Sequence, residues 1–207
     1  MKFFSPPNQL TFLRILLTPV FLVFLLSSYS ALRQWSLLVF ILAAVTDWYD
    51  GWLARRWGYV TRWGVFFDPL ADKVVTSGAL IAYAYLDLVP AWTVWVTVVR
   101  DVLITLLRSY AEYKGKPVDT SKLAKTKTFA QFAVIYYLLI LYVGLHTPSV
   151  FQRFGELIQM LLNYSLVYTM MVVITAITLW TGIVYIIDNR KTIRELYDFS
   201  ARATESQ

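Results

Sequence analysis

Four aspartates, Asp47, Asp50, Asp68 and Asp72, stand at the edges of two long apolar stretches. Carboxylates set that deep in apolar sequence are costly unless something offsets their desolvation. On a helix Asp47 and Asp50 are three residues apart and Asp68 and Asp72 four apart, so each pair shares one face. If the two stretches are antiparallel neighbours, four carboxylates look into one space, where they would repel and take up protons. Two divalent cations would neutralise them, and paired metals about 3.5–4 Å apart are typical of phosphoryl chemistry. The competing explanation is a set of salt bridges to Arg55, Arg56 or Lys73. Gly51, Ala54 and Gly64 lie among the aspartates and lack bulk, so a nucleotide could approach the backbone there. Small residues also serve tight helix packing in membranes.

Composition narrows the chemistry. The chain has 207 residues, 58% hydrophobic and 17% aromatic but only 15% charged, with a mean hydropathy of +0.55. Soluble domains carry about 25% charged residues, so these values place the chain among polytopic membrane proteins. With no cysteine, disulfides and thiolate metal sites are excluded. The single histidine, His146, argues against a histidine-based metal site or a Ser-His-Asp triad. Metal chemistry here is oxygen chemistry, which suits Mg²⁺ or Mn²⁺. The net charge of +6 reads as cytoplasmic lysine and arginine, not as a nucleic-acid footprint.

Hydropathy predicts an all-α polytopic membrane protein with six transmembrane helices, near residues 10–26, 35–55, 68–86, 90–110, 129–145 and 164–187. Residues 1–9 read as an interfacial lead-in, residues 188–207 as a cytoplasmic tail, and the whole as one domain. A cleaved signal peptide is the alternative for the first stretch; Arg14 within it and the later spans favour a retained helix. Pro69 falls in the first turn of the third span, where its missing N–H is harmless. Residues 151–162 have helical apolar spacing and suit an interfacial helix. Trp35, Trp48, Trp52, Trp57 and Trp63 fall near expected membrane interfaces.

Loop charge sets orientation. Arg55, Arg56 and Arg62, then Lys114, Lys116, Lys122, Lys125 and Lys127, then Arg190, Lys191, Arg194 and Arg202 all fall on one side; Arg33 and Arg153 fall on the other. Both termini are therefore expected in the cytoplasm, and the four aspartates just inside that face. A second charged group, Arg100, Asp101 and Arg108 with Lys125 and Lys127, lies by the fourth and fifth spans. Asp101 and Arg108, seven apart, could simply pair. The remaining cations suit an acceptor that carries phosphate.

The pattern D-x2-D-G-x2-A-R-x8-G-x3-D-x3-D, met by Asp47, Asp50, Gly51, Ala54, Arg55, Gly64, Asp68 and Asp72, resembles the signature of the CDP-alcohol phosphatidyltransferases. The resemblance implies a six-helix membrane fold, commonly a homodimer, with two Mg²⁺ or Mn²⁺ ions on the four aspartates. It makes Asp72 also the general base, and Gly51, Ala54, Arg55, Thr61 and Gly64 the CDP-diacylglycerol contacts. The stretches N-Q-L-T-F-L-R, F-D-P-L-A-D-K-V, R-D-V-L-I-T-L-L-R, K-T-K-T-F-A-Q and T-L-W are most similar to the phosphatidylglycerophosphate synthase branch, except that Asp101 stands where glutamate is usual. That branch implies sn-glycerol 3-phosphate as acceptor, with Arg100, Arg108, Lys125 and Lys127 on its phosphate, at the cytoplasmic face of the cell (inner) membrane. Inositol phosphate, phosphatidylglycerol (as in cardiolipin synthase) and serine are the alternative acceptors. A small cation transporter is the rival from another class; it needs ionisable groups near the bilayer midplane, whereas these aspartates gather at one face.

Overall fold

The computed structural model describes residues 6–57, 62–115, 122–190 and 192–194, with side chains for 11–46, 49, 69–112, 114–115, 126–190 and 192–194. Seven helices follow one another: α1 (Pro6–Leu25), α2 (Ser30–Trp57), α3 (Arg62–Tyr85), α4 (Ala91–Tyr113), α5 (Lys122–Leu145), α6 (Pro148–Leu161) and α7 (Tyr164–Asp188). Every described element is helical, as long runs of Leu, Ile, Val and Phe without turn residues require in an apolar solvent.

The breaks have local causes. At the end of α3, Asp87 takes a left-handed φ of 55°. Leu88 N–H then reaches the Tyr83 carbonyl at 3.0 Å and Asp87 N–H the Ala84 carbonyl at 3.2 Å. That is a Schellman stop, with Pro90 after it to forbid continuation. Gly115, at φ 74°, ends α4 in the same conformation. Pro148 opens α6, and the Asn163 side chain accepts from Ser165 N–H to open α7.

Three boundaries differ from expectation. α1 begins at Pro6, so part of the supposed lead-in is helical. α5 begins at Lys122, and Lys125 and Lys127 lie on it. α3 begins at Arg62, which puts Pro69 in the helix interior and not in its first turn. Val65, Phe66 and Phe67 are good enough helix residues to run the helix back past the proline. An interior proline is tolerated where neighbouring groups re-satisfy the freed carbonyl.

Among the described residues α2 packs mainly on α1 and α5, and α3 on α1, α4 and α5. The two aspartate-bearing helices are thus bridged by α1 and α5. Gly78 permits this, because a Cβ there would lie 3.3 Å from Thr18 of α1. The core joins Phe21, Phe40, Leu80, Tyr83, Ile135, Leu138 and Met171, with Phe40 between the rings of Phe21 and Tyr136 at 5.0 Å each. Tyr83 is fully buried, and its hydroxyl donates to the Ile135 carbonyl at 2.9 Å. His146 ends half-buried against the Tyr142 ring.

Large apolar side chains also face outward all round, among them Phe12, Val23, Trp95, Leu103, Phe129 and Trp180. Such a surface suits lipid and not water. Among the described residues, Thr126–Leu145 and Tyr164–Asp188 are long and apolar enough to cross a membrane. α6, with 14 residues, is too short to span. It lays Ile158 against Gly144 and leaves Phe151, Phe154, Leu157 and Met160 exposed.

Tyr83→Phe should lower stability by about 1 kcal/mol and Tyr83→Ala by about 3–5 kcal/mol, measured by denaturation in detergent. Equal stability of the two variants would contradict the buried packing of this ring.

Candidate active site

The aspartates fall on two helix ends. Asp47, Asp50, Gly51, Ala54 and Arg55 occupy the last turns of α2, and Gly64, Asp68 and Asp72 the first three turns of α3. By helical register Asp47, Asp50, Gly51 and Ala54 share one face, and Gly64, Asp68 and Asp72 another. Asp72 is half-buried; Thr76 Oγ1 donates to its carbonyl at 3.1 Å, which fixes this turn of α3. Thr61, and the side chains of Asp47, Asp50, Gly51, Ala54, Arg55, Gly64, Asp68 and Lys125, lie outside the described residues. Among the described residues no group of three His, Cys, Asp or Glu gathers. The donor chemistry nonetheless fits a hard divalent ion: four carboxylates in helical register, with the single histidine far off at the end of α5.

The second charged group is built around Asp101. This carboxylate is 2% exposed. Its Oδ1 accepts from Arg100 Nη1 at 3.0 Å, and both its oxygens accept from Lys127 Nζ at 2.6 Å. Oδ2 also accepts from Lys73 Nζ at 3.3 Å. Helices α3, α4 and α5 each supply a cation, and α7 adds Thr181, whose Oγ1 accepts from Arg100 Nη2 at 2.9 Å. Of the four cations expected together, the structure joins Arg100 and Lys127. Arg108 turns to Glu112 at 3.1 Å, one turn along α4, so the anticipated Asp101–Arg108 pair gives way to closer partners from α3 and α5.

Sequence reasoning named Lys73 only as a salt-bridge partner for the motif aspartates and missed its place on Asp101. Its only signal was its place directly after Asp72. Thr181 was missed for want of any local signal, since it lies 81 residues from Arg100. A readable pattern was also passed over. Thr93, Thr97, Asp101, Thr105 and Ser109 recur every four residues along α4 and are all buried. Two of them meet Thr175 of α7: the Thr97 and Thr175 hydroxyls come within 3.3 Å, and Thr175 Oγ1 donates to the Thr93 carbonyl at 3.4 Å. Such hydroxyl pairs hold apolar-solvent helices together, and here they seat α7 beside Arg100.

A model of the CDP-alcohol phosphatidyltransferase family matches residues 4–187. The chain belongs to the CDP-alcohol phosphatidyltransferases. It is therefore a transferase enzyme, and its apolar helices and outward apolar surface fit a membrane protein of lipid synthesis. Among curated relatives, the CDP-diacylglycerol–glycerol-3-phosphate 3-phosphatidyltransferase of Bacillus subtilis (strain 168) is 37% identical over 149 residues, covering 66% of this chain and 77% of the relative. The protein of the same name from Escherichia coli (strain K12) is 40% identical over 149 residues with the same coverage. That from Salmonella paratyphi A is 38% identical over 144 residues, again covering 66% and 77%.

The Asp101 cluster and the Arg108–Glu112 pair differ in burial, and that difference is measurable. Arg108→Ala, at a side chain 41% exposed, should change stability by less than about 1 kcal/mol. Asp101→Leu strands Lys127, 3% exposed, without a counter-charge, and should lower stability by about 3–5 kcal/mol. Similar losses in chemical denaturation would show that the Asp101 cluster is not a buried charge network.

Proposed function

We propose that the chain transfers the phosphatidyl group of CDP-diacylglycerol to sn-glycerol 3-phosphate, giving phosphatidylglycerophosphate and CMP. What carries the reading is the eight-residue aspartate motif on α2 and α3 in a chain 37–40% identical to relatives named for that reaction. On this reading the chain crosses the cell membrane six times, with both termini and the site at the cytoplasmic face, and works as a homodimer.

Asp47, Asp50, Asp68 and Asp72 would hold two divalent cations, Mg²⁺ or Mn²⁺, which when bound supply charge neutralisation for the pyrophosphate of the donor. Gly51, Ala54 and Gly64 leave room for the CDP group, while Arg55 and Thr61 bind it. Arg100 and Lys127, with Arg108 and Lys125 nearer the helix ends, hold the acceptor phosphate and so orient its free hydroxyl. Asp72 takes the hydroxyl proton. The freed oxygen forms a bond to the phosphorus that carries the diacylglycerol. The bond from that phosphorus to the bridging oxygen breaks, and CMP leaves with the electron pair. The acyl chains stay in the bilayer throughout, so only the headgroup has to enter the polar site.

Purified protein with CDP-diacylglycerol and Mg²⁺ should release CMP when given glycerol 3-phosphate, and not with serine, phosphatidylglycerol or inositol phosphate. Release with one of those others alone would overturn the acceptor and leave the family chemistry standing. Chelation by EDTA should abolish CMP release and added Mg²⁺ or Mn²⁺ restore it; activity indifferent to EDTA would refute the ion-binding role of the aspartates. Asp72→Asn should lower kcat by about 10²–10⁴-fold with CDP-diacylglycerol still bound, and an unaltered kcat would remove Asp72 as the base.

A further inference from the structure

A buried carboxylate needs one cation to offset its charge. Asp101 has three, from Lys73, Arg100 and Lys127. Among the described residues, three cations around one carboxylate leave two positive charges in excess, in a place where Lys127 and Asp101 are nearly shut off from solvent. Like charges that close repel in a low-dielectric interior. An arrangement serving only to tie helices together would be better with fewer cations. The excess matches the charge of a phosphate monoester dianion.

The hydrogen-bond inventory points the same way. A guanidinium has five N–H donors and an ammonium three. Arg100 places one on Asp101 and one on Thr181, and Lys73 places one on Asp101. Donors remain on both, and both side chains keep about one-seventh of their surface open, at 15% and 14%. The buried Lys127 is held at 2.6 Å on both carboxylate oxygens. Gly182 of α7 also takes part. A Cβ there would come 2.8 Å from Arg100 Nε, so the glycine gives Arg100 the room to cross α7 and reach Thr181. Lys73, finally, directly follows Asp72 on α3, so the same helical turn carries the proposed base and one of these cations.

We infer that Asp101 is the positioning residue of the acceptor site, and that Lys73 is a further phosphate ligand beside Arg100 and Lys127. The inference rests on the reading that the acceptor bears a phosphate. Asp101 does not touch the acceptor. It gathers cations from three helices into one cluster and keeps their combined charge low enough to stay buried before substrate arrives. Two effects oppose each other if its charge is removed. Phosphate loses a repelling neighbour, and the cations lose their common anchor. The second dominates, because Lys127 is too buried to stay charged without a partner, whereas three cations already stand about Asp101 and offset its repulsion.

The test is a comparison of KM and kcat in the purified full-length protein with Mg²⁺. Asp101→Asn keeps the shape and loses the charge; it should raise KM for glycerol 3-phosphate at least tenfold, with a smaller fall in kcat and KM for CDP-diacylglycerol within twofold of wild type. Asp101→Glu should bring the acceptor KM back to within threefold, and Lys73→Met should raise it several-fold with the same selectivity. Gly182→Ala removes no charge and displaces Arg100; it should raise the acceptor KM several-fold, and it decides the matter if Asp101→Asn does not fold. An acceptor KM that is unchanged or lowered in these variants, or equal rises in both KM values, overturns the inference. If the wild type uses another phosphorylated alcohol, the preceding reading fails, and the same comparison made on that alcohol decides this one. Use of an acceptor without phosphate overturns both.

Discussion

The interaction on which the rest depends is the contact of one buried carboxylate, Asp101, with cations from three helices. Helices in an apolar solvent have little hydrophobic reason to choose one neighbour over another, so polar contacts and close packing set their arrangement. Asp101 fixes α4 against α3 through Lys73 and against α5 through Lys127. Arg100 then ties α4 to α7 through Thr181. A charge network this buried tolerates few alternative packings, because any helix that shifts leaves an ion without its partner.

That constraint joins two chemistries on one element. α3 carries Asp68 and Asp72 on one face and Lys73 a step round from them. Thr76 holds the Asp72 carbonyl, while Lys73 reaches across to Asp101. The turn that carries the Asp72 carboxylate therefore also carries an ammonium that reaches the Asp101 cluster, with no flexible loop between them. Pro69, inside this helix and not at its start, lies between the two aspartates of α3.

Most of the helical architecture was legible in the sequence, because apolar runs of bilayer length leave few alternatives to helix. The boundaries were less so. A proline looks like a helix start, yet Phe66 and Phe67 carry α3 back beyond Pro69. The motif could be read without coordinates because its spacing is local: Asp50 is three positions after Asp47, and Asp72 four after Asp68. The Asp101 cluster could not. Its donors lie 28 and 26 residues away, at Lys73 and Lys127, and Thr181 is further still. Sequence separation says nothing about which helices meet. Arg108, grouped in the sequence with the acceptor-binding cations and with Asp101 as its alternative partner, instead meets Glu112 four residues on.

On the inferred role of Asp101, the cations gathered around it hold the phosphate of the acceptor beside the aspartates. The most direct measurement is an experimental structure of the protein in lipid or detergent with glycerol 3-phosphate and a divalent cation bound. The phosphate should lie within hydrogen-bond reach of Lys73, Arg100 and Lys127, with the free hydroxyl of the glycerol turned toward Asp72. A phosphate bound elsewhere, with these three side chains still closed on Asp101 alone, would contradict it.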